Sequence, residues 1–327
     1  MGEVLETRRS ETTSRFERLQ KQLSAADKLA ADKACVYATG SFGRGEASKY
    51  SDLDLFIVGR GDKNRRELSN LEEIRIKADL IEATQTLGIS EFSGDGEYLI
   101  HYTKQELVET LGKPRDDASN TFTARLLLLL ESKPLLGEKV YREAISDVIA
   151  AYWRDYADHK SEFIPAFLAN DILRLWRTFC VNYEARTFTE PAEKRAKRKL
   201  KNYKLKHSRL LTCYSALLYL LATYTTDKTV DPEDAVHMTA LSPTGRLEWL
   251  LTQSHIAAAH QPVRELLEHY ERFLAATDYS EKELVVRFLD AEKSKEYSLS
   301  ANELGNLTFK ALELIGQGNP FHRLLVV

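Results

Sequence analysis

The 327-residue sequence predicts an α+β fold: a small mixed-sheet domain over residues 1–138, followed by an all-helical domain over residues 139–327. Three observations lead there. Two short β-prone runs lie close together at residues 35–38 and 53–58, and a third run alternates at residues 98–102. Beyond residue 137 the strand signals stop, and apolar residues recur at three- and four-residue steps. The length suits two domains of about 100–200 residues each.

Taken in order, residues 10–33 place Phe16, Leu19, Leu23, Ala26 and Leu29 on one face, which predicts a single amphipathic helix opening the fold. Cys35-Val36-Tyr37-Ala38 then forms a strand stopped by Thr39-Gly40. Residues 53–58 are nearly continuously apolar, the pattern of a strand buried on both faces. Helical spacing returns at residues 71–87, after which Tyr98, Ile100 and Tyr102 alternate with Leu99 and His101. The five leucines at residues 126–130 read as a buried helix joining the two domains. Helices follow at residues 140–156, 163–183, 208–224, 245–258, 263–276 and 281–291. Ser280 with Glu283, and Ser300 with Glu303, have the spacing of capping boxes that start helices.

Composition excludes several classes. With 46 Lys and Arg against 49 Asp and Glu, the net charge of -3 argues against coating nucleic acid through bulk charge, while leaving local basic patches open. Cys35, Cys180 and Cys213 are far apart and show neither a disulfide framework nor a zinc spacing, which fits a reducing cytoplasm. Residues 1–15 are charged, unlike a signal peptide, and the longest apolar stretch, 210–224, is shorter than the roughly 20 residues of a membrane span. The expectation is a cytoplasmic protein without membrane contact.

Chemistry concentrates in residues 39–58, TGSFGRGEASKYSDLDLFIV. Gly40-Ser41 directly follows a strand, so the turn brings backbone N–H groups and a hydroxyl close to a phosphate, with no side chain on Gly40 to obstruct it. Arg44 offers a cationic fork to a phosphate or to a nearby carboxylate. A Walker A loop is excluded because Gly45 is followed by Glu46-Ala47, and the dinucleotide fingerprint is excluded because its glycine order differs. Asp52 and Asp54, one residue apart at the start of an apolar strand, leave it on one face while Leu53 and Leu55 leave on the other. Two adjacent carboxylates repel unless a cation joins them, and hard oxygen ligands suit magnesium, which completes its shell with water and substrate phosphates.

Gly-Ser, a spacer with Arg-Gly, then Ser-Asp-x-Asp before aliphatic residues resembles the DNA polymerase β nucleotidyltransferase superfamily. The Gly-Arg-Gly-Glu wording is similar to its bacterial branch related to the uridylyltransferase of the PII signalling protein. About twenty residues carry the resemblance. It implies that Gly40 and Ser41 hold a nucleoside triphosphate and that Asp52 and Asp54 bind the metal, two magnesium ions or manganese in their place. A nucleoside monophosphate would then pass to an acceptor hydroxyl of a protein, an RNA or a small molecule, and pyrophosphate would leave. The family also uses a third carboxylate to activate that hydroxyl; Glu97 is the first choice, with Asp95 and Asp116-Asp117 as alternatives.

Residues 194–209 hold nine Lys or Arg and no acid. They read equally as a solvated helix face or as counter-charge for a triphosphate or nucleic acid, the use that polymerase β relatives make of their helical domains. On the second reading Lys204 and Lys206 are the phosphate contacts; Asn170, Arg174 and Arg177 are further candidates for the same cleft. Two rival functions remain: a catalytically silent nucleotide-binding regulator, and a synthase of cyclic or short oligonucleotides or an RNA-modifying toxin using the same site.

Overall fold

The computed structural model describes residues 2–62, 64–90, 92, 99–184 and 191–326. The chain divides into two compact units, one of Leu5–Arg154 and one of Asp155–Val327 with Met1–Val4.

In the first unit the expected opening helix is two helices, α1 (Glu3–Gln22) and α2 (Ser24–Ala30), which meet at Leu23, where φ is -93° and ψ 17°. The apolar face nevertheless runs across the break, since Phe16, Leu19, Leu23 and Ala26 are all buried. The chain continues through β1 (Ala34–Thr39), the short α3 (Gly40–Gly43), β2 (Asp54–Gly59), α4 (Asn70–Thr86) and β3 (His101–Thr103). After these come α5 (Lys104–Glu109), α6 (Arg115–Ala118), α7 (Thr121–Leu130), β4 (Lys133–Leu136) and α8 (Glu138–Tyr152).

The four strands form one mixed sheet in the order β3-β2-β1-β4. β1 is antiparallel to β2 and β4, and β2 is parallel to β3. β4 was not anticipated: Lys133-Pro134-Leu135-Leu136 is short and contains a proline, which a sheet tolerates at an edge because no ladder N–H is needed there. Of the alternating run expected at residues 98–102, only His101 and Tyr102 fall in β3, where Tyr102 pairs with Val58; Leu99 and Ile100 precede the strand, and Tyr98 lies outside the described residues.

One sheet face, with Ala34, Val36 and Ala38 of β1 and Leu55 and Ile57 of β2, forms a single core with Leu53, Phe16, Leu19, Leu23, Ile76 and Leu80. The other face carries rings. Tyr37 stacks on Phe56 at 5.5 Å between centroids and donates its hydroxyl to the Ala124 carbonyl at 3.2 Å. Tyr141 of α8 packs 6.1 Å from Tyr37, and Val140, Ala144 and Val148 are buried with it. A strand apolar on both sides needs two covers, and α8 is part of the second. The compact unit therefore runs to Arg154, past the division expected at residue 138.

The second unit contains α9 (Ala166–Glu184), α10 (Ala192–Lys204), α11 (Leu210–Asp227), α12 (Pro232–Ala240), α13 (Pro243–Thr252), α14 (His260–Ala276), α15 (Glu281–Leu289), α16 (Ala291–Gly316) and α17 (Pro320–Val326). No strand occurs among its described residues. A π-helical turn, Leu205–Arg209, joins α10 to α11. The Ser280–Glu283 capping box is present at the start of α15. Ser300 instead lies inside α16, whose cap is Asp290, accepting from the N–H groups of Glu292 and Lys293. α16 extends 26 residues where the periodicity ended at residue 291, because its buried stripe is largely small and polar: Ser294, Ala301, Thr308 and Ala311 beside Leu304 and Leu312. Among the described residues, no helix is long and apolar enough to cross a membrane.

Candidate active site

The site grows from the place where β1 ends and β2 begins. Thr39 is the register partner of Asp54, so the chain leaving β1 turns directly beside the first residue of β2. Gly40 makes that turn at φ +63°, a conformation that L side chains rarely adopt, and a Cβ added there would lie 2.9 Å from Asp54 Oδ2. The Asp54 carboxylate is thus seated against the bare α-carbon of Gly40. At Gly43 a Cβ would fall 2.0 Å from the Glu131 carbonyl oxygen, so α3 is pressed onto the end of α7 and tolerates no side chain at that point.

Buried charges hold the turn from below. Arg44 Nε donates to Glu46 Oε2 at 3.0 Å and Nη1 to Glu131 Oε2 at 2.9 Å, while the other Glu131 oxygen accepts the Gly40 N–H at 3.2 Å. The side chains of Arg44, Glu46 and Glu131 are 7%, 0% and 0% exposed. Removing one partner from such a buried cluster costs about 3–5 kcal/mol, because the charges left behind have neither water nor a counter-ion. Of the two partners expected for Arg44, carboxylates are the ones present. The Gly40 N–H likewise faces Glu131, which leaves half-buried Ser41 as the next polar residue of the turn. The turn closes with N–H donation from Arg44 to the Gly40 carbonyl at 3.0 Å and from Glu46 to the Ser41 carbonyl at 2.8 Å.

The alternation that buries Leu53, Leu55 and Ile57 in the core sends Asp54 to the opposite side of the strand. Asp52 stands two residues earlier, exposed, where its backbone bridges to Ser90. The hard oxygens of the Asp54 carboxylate, seated on the Gly40 turn, match the donor chemistry of a divalent cation. Among the described residues, no group of three His, Cys, Asp or Glu gathers around one point.

Asp95 and Glu97 lie outside the described residues. Asp116 is fully buried, and its oxygens accept from Arg125 Nη1 at 3.0 Å and Nη2 at 2.5 Å, and from Thr110 and Thr121 at 3.1 and 2.8 Å. Arg125 also reaches Tyr152 Oη and the Leu107 carbonyl, so this cluster ties α5, α6, α7 and α8 together. A carboxylate so enclosed is structural, and Asp117 beside it is exposed on α6. His101 is buried with Nδ1 3.0 Å from Glu73 Oε2, a contact that lowers the Glu73 carboxyl pKa to about 2.

Lys204 and Lys206 belong to the helical unit, the first at the end of α10 and the second in the π-helical turn. On α9, Arg174 donates to Asp171 at 3.4 Å. Glu131 was not singled out in the sequence; its one local signal is that it is an acid directly after five leucines, where burial demands a partner.

Residues 17–109 match the family model described as a nucleotidyltransferase domain. These residues belong to that family. The matched segment of this nucleotidyltransferase domain includes β1, the Gly40-Ser41 turn, Asp52, Asp54 and β3. The chain is accordingly a transferase of phosphorus-containing groups, with the α+β architecture its sequence predicts. The match names the nucleotidyltransferase domain at large and does not distinguish the uridylyltransferase-related branch within it. No curated protein matches the chain.

Proposed function

We propose that this nucleotidyltransferase moves a nucleoside monophosphate from a nucleoside triphosphate to an acceptor hydroxyl, with Asp52 and Asp54 holding divalent metal. A bond forms between the acceptor oxygen and the α-phosphorus, the bond from that phosphorus to the bridging oxygen breaks, and pyrophosphate leaves. Bound magnesium, two ions or manganese in their place, supplies charge neutralisation and a template for the in-line displacement. Ser41 hydrogen-bonds a phosphate oxygen, and Gly40 keeps the approach to Asp54 open. Arg44 acts on the nucleotide through the backbone it braces. Glu97 takes the proton of the attacking hydroxyl.

The observation that carries this reading is the Asp54 carboxylate lying against the Gly40 turn. The test is transfer from each α-labelled triphosphate to pools of protein, RNA and small molecules, with magnesium, with manganese and with chelator. Asp52→Asn and Asp54→Asn should each lower transfer by about a thousandfold or more, with melting temperatures unchanged. Full activity in either variant rejects the site. Products formed without an added acceptor identify a cyclic or oligonucleotide synthase. Metal-dependent nucleotide binding with no pyrophosphate release in the unmodified chain identifies a silent regulator.

A further inference from the structure

Within the helical unit, α10 with its π-helical turn faces α15 and α16 across a cavity of about 420 Å³. Lys199, Asn202, Tyr203 and Lys206 line it from one side, at the i, i+3, i+4 and i+7 positions of a single helical face. Ser294, Tyr297, Ser298 and Ala301 of α16 line it from the other side with the same spacing, and Lys295 joins them. The lysines stand at its solvent side, Lys199 and Lys295 exposed and Lys206 half-buried, and among the described residues no aspartate or glutamate lines the space.

The wall is aromatic. Tyr297 stacks on Phe288 at 4.6 Å between centroids and an interplanar angle of 19°, and Tyr203 packs 4.9 Å from Tyr297. Of these three rings Tyr297 is the least buried. Lys199 Nζ donates to Ser294 Oγ at 3.1 Å, while Lys206 and Lys295 form no hydrogen bond or ion pair with a described residue. Like charges gathered around one cavity repel, and an anion entering it relieves that repulsion. A stacking ring beside ammonium and hydroxyl donors is the complement of a base and its phosphate.

Below the cavity lies the π-helical turn, a departure from regular helix that is frequent at functional sites. Its His207 is buried, with Nδ1 2.8 Å from the Tyr203 carbonyl oxygen and its ring stacked 4.4 Å from Phe273. This packing fixes the segment that presents Tyr203 and Lys206.

We propose that this cavity is a nucleotide-binding site built wholly from the helical unit, with the base against Tyr297 and the phosphate on Lys199, Lys206 and Lys295. Its occupant is a nucleotide unit, either a free mononucleotide or the terminal nucleotide of an RNA strand. The inference does not depend on transfer chemistry.

The test uses the full chain carrying Asp54→Asn, in chelator, so that occupancy of the metal-dependent site is not read. The probes are the four nucleoside 5′-monophosphates and ribose 5-phosphate, followed by calorimetry, and a fluorescent decamer of RNA, followed by anisotropy. At least one monophosphate or the decamer should bind. Adding K206A and K295A should weaken that binding at least tenfold, and Tyr297→Ala should weaken nucleotide binding tenfold while sparing ribose 5-phosphate. If the decamer binds more tightly than any monophosphate, the occupant is a strand end, and the double lysine variant should flatten the salt dependence by about 1.4 in log-log slope. The reverse preference assigns a free nucleotide. In the Asp54→Asn chain without further changes, the bound nucleotide should also protect Lys206 and Lys295 from chemical acetylation, a readout independent of how the lysine variants fold. No binding at millimolar concentration, no protection, or affinity unchanged by the lysine substitutions overturns the proposal.

Discussion

Beneath each of the two candidate binding surfaces lies a buried titratable group, and the two units treat it in opposite ways. Under the Gly40-Ser41 turn, Arg44 stays charged because Glu46 and Glu131 surround it. Under the helical cavity, His207 stays neutral: burial pushes it down to about 3, with the Tyr203 carbonyl as its hydrogen-bond partner and rings around it. Beside the strand end Glu46 and Glu131 are buried with the guanidinium and supply its counter-charge, whereas the seam between helices has rings. The first surface is therefore set by ion pairing, and the second by packing that acid disrupts.

The largest effect should come from breaking the charged cluster. Arg44→Met and Arg125→Met each strip a buried carboxylate group of its cation and should cost about 3–5 kcal/mol in denaturant unfolding. They should differ in function: transfer per folded molecule falls in Arg44→Met, whose cluster holds the Gly40 turn, and holds in Arg125→Met, whose cluster joins α5, α6, α7 and α8. Equal activity in the two variants would remove Arg44 from any positioning role. A smaller change sharpens the same point. Gly40→Ala forces an L side chain to φ +63° and pushes Cβ against Asp54 Oδ2, so it should cost about 1–2 kcal/mol and lower transfer disproportionately.

Acid sharpens the contrast with the helical unit. His207 takes its proton near 6.5 in the unfolded chain and near 3 in the folded unit. Between those values the unfolded chain binds more protons, so helical-unit stability falls as pH drops below 6.5, with a slope approaching about 1.4 kcal/mol per pH unit. His207→Phe should reduce that slope in segment-resolved hydrogen exchange, leaving the part due to His269, which burial also lowers. In the α/β unit, Glu73 is lowered from 4.5 to about 2, chiefly by its hydrogen bond to His101. Its contribution is complete above pH 4.5 and is lost as pH falls from there toward 2. Helical segments should therefore loosen at a higher pH than the sheet.

Much of the architecture follows from neighbours in sequence. The apolar steps of Phe16, Leu19, Leu23 and Ala26, the continuous run of β2 and the Ser280–Glu283 box are local matters of period and capping, and each sits where its spacing places it. α16 and β4 escaped the same logic, one because its buried stripe is small and polar, the other because a four-residue edge strand with a proline has almost no pattern.

By itself the sequence determined the Gly40-Ser41 turn after β1 and the alternation that sets Asp54 on the other side from Leu55 and Ile57, because a turn after a strand and a period of two are steric consequences of adjacent residues. Only the tertiary structure decided that the turn rests on Glu131, 91 residues away, and that α8 belongs with the sheet. The same holds for Lys199 and Lys295, which share one cavity although 96 positions separate them. Such partnerships arise when surfaces meet, and no spacing in the chain encodes which surfaces those will be.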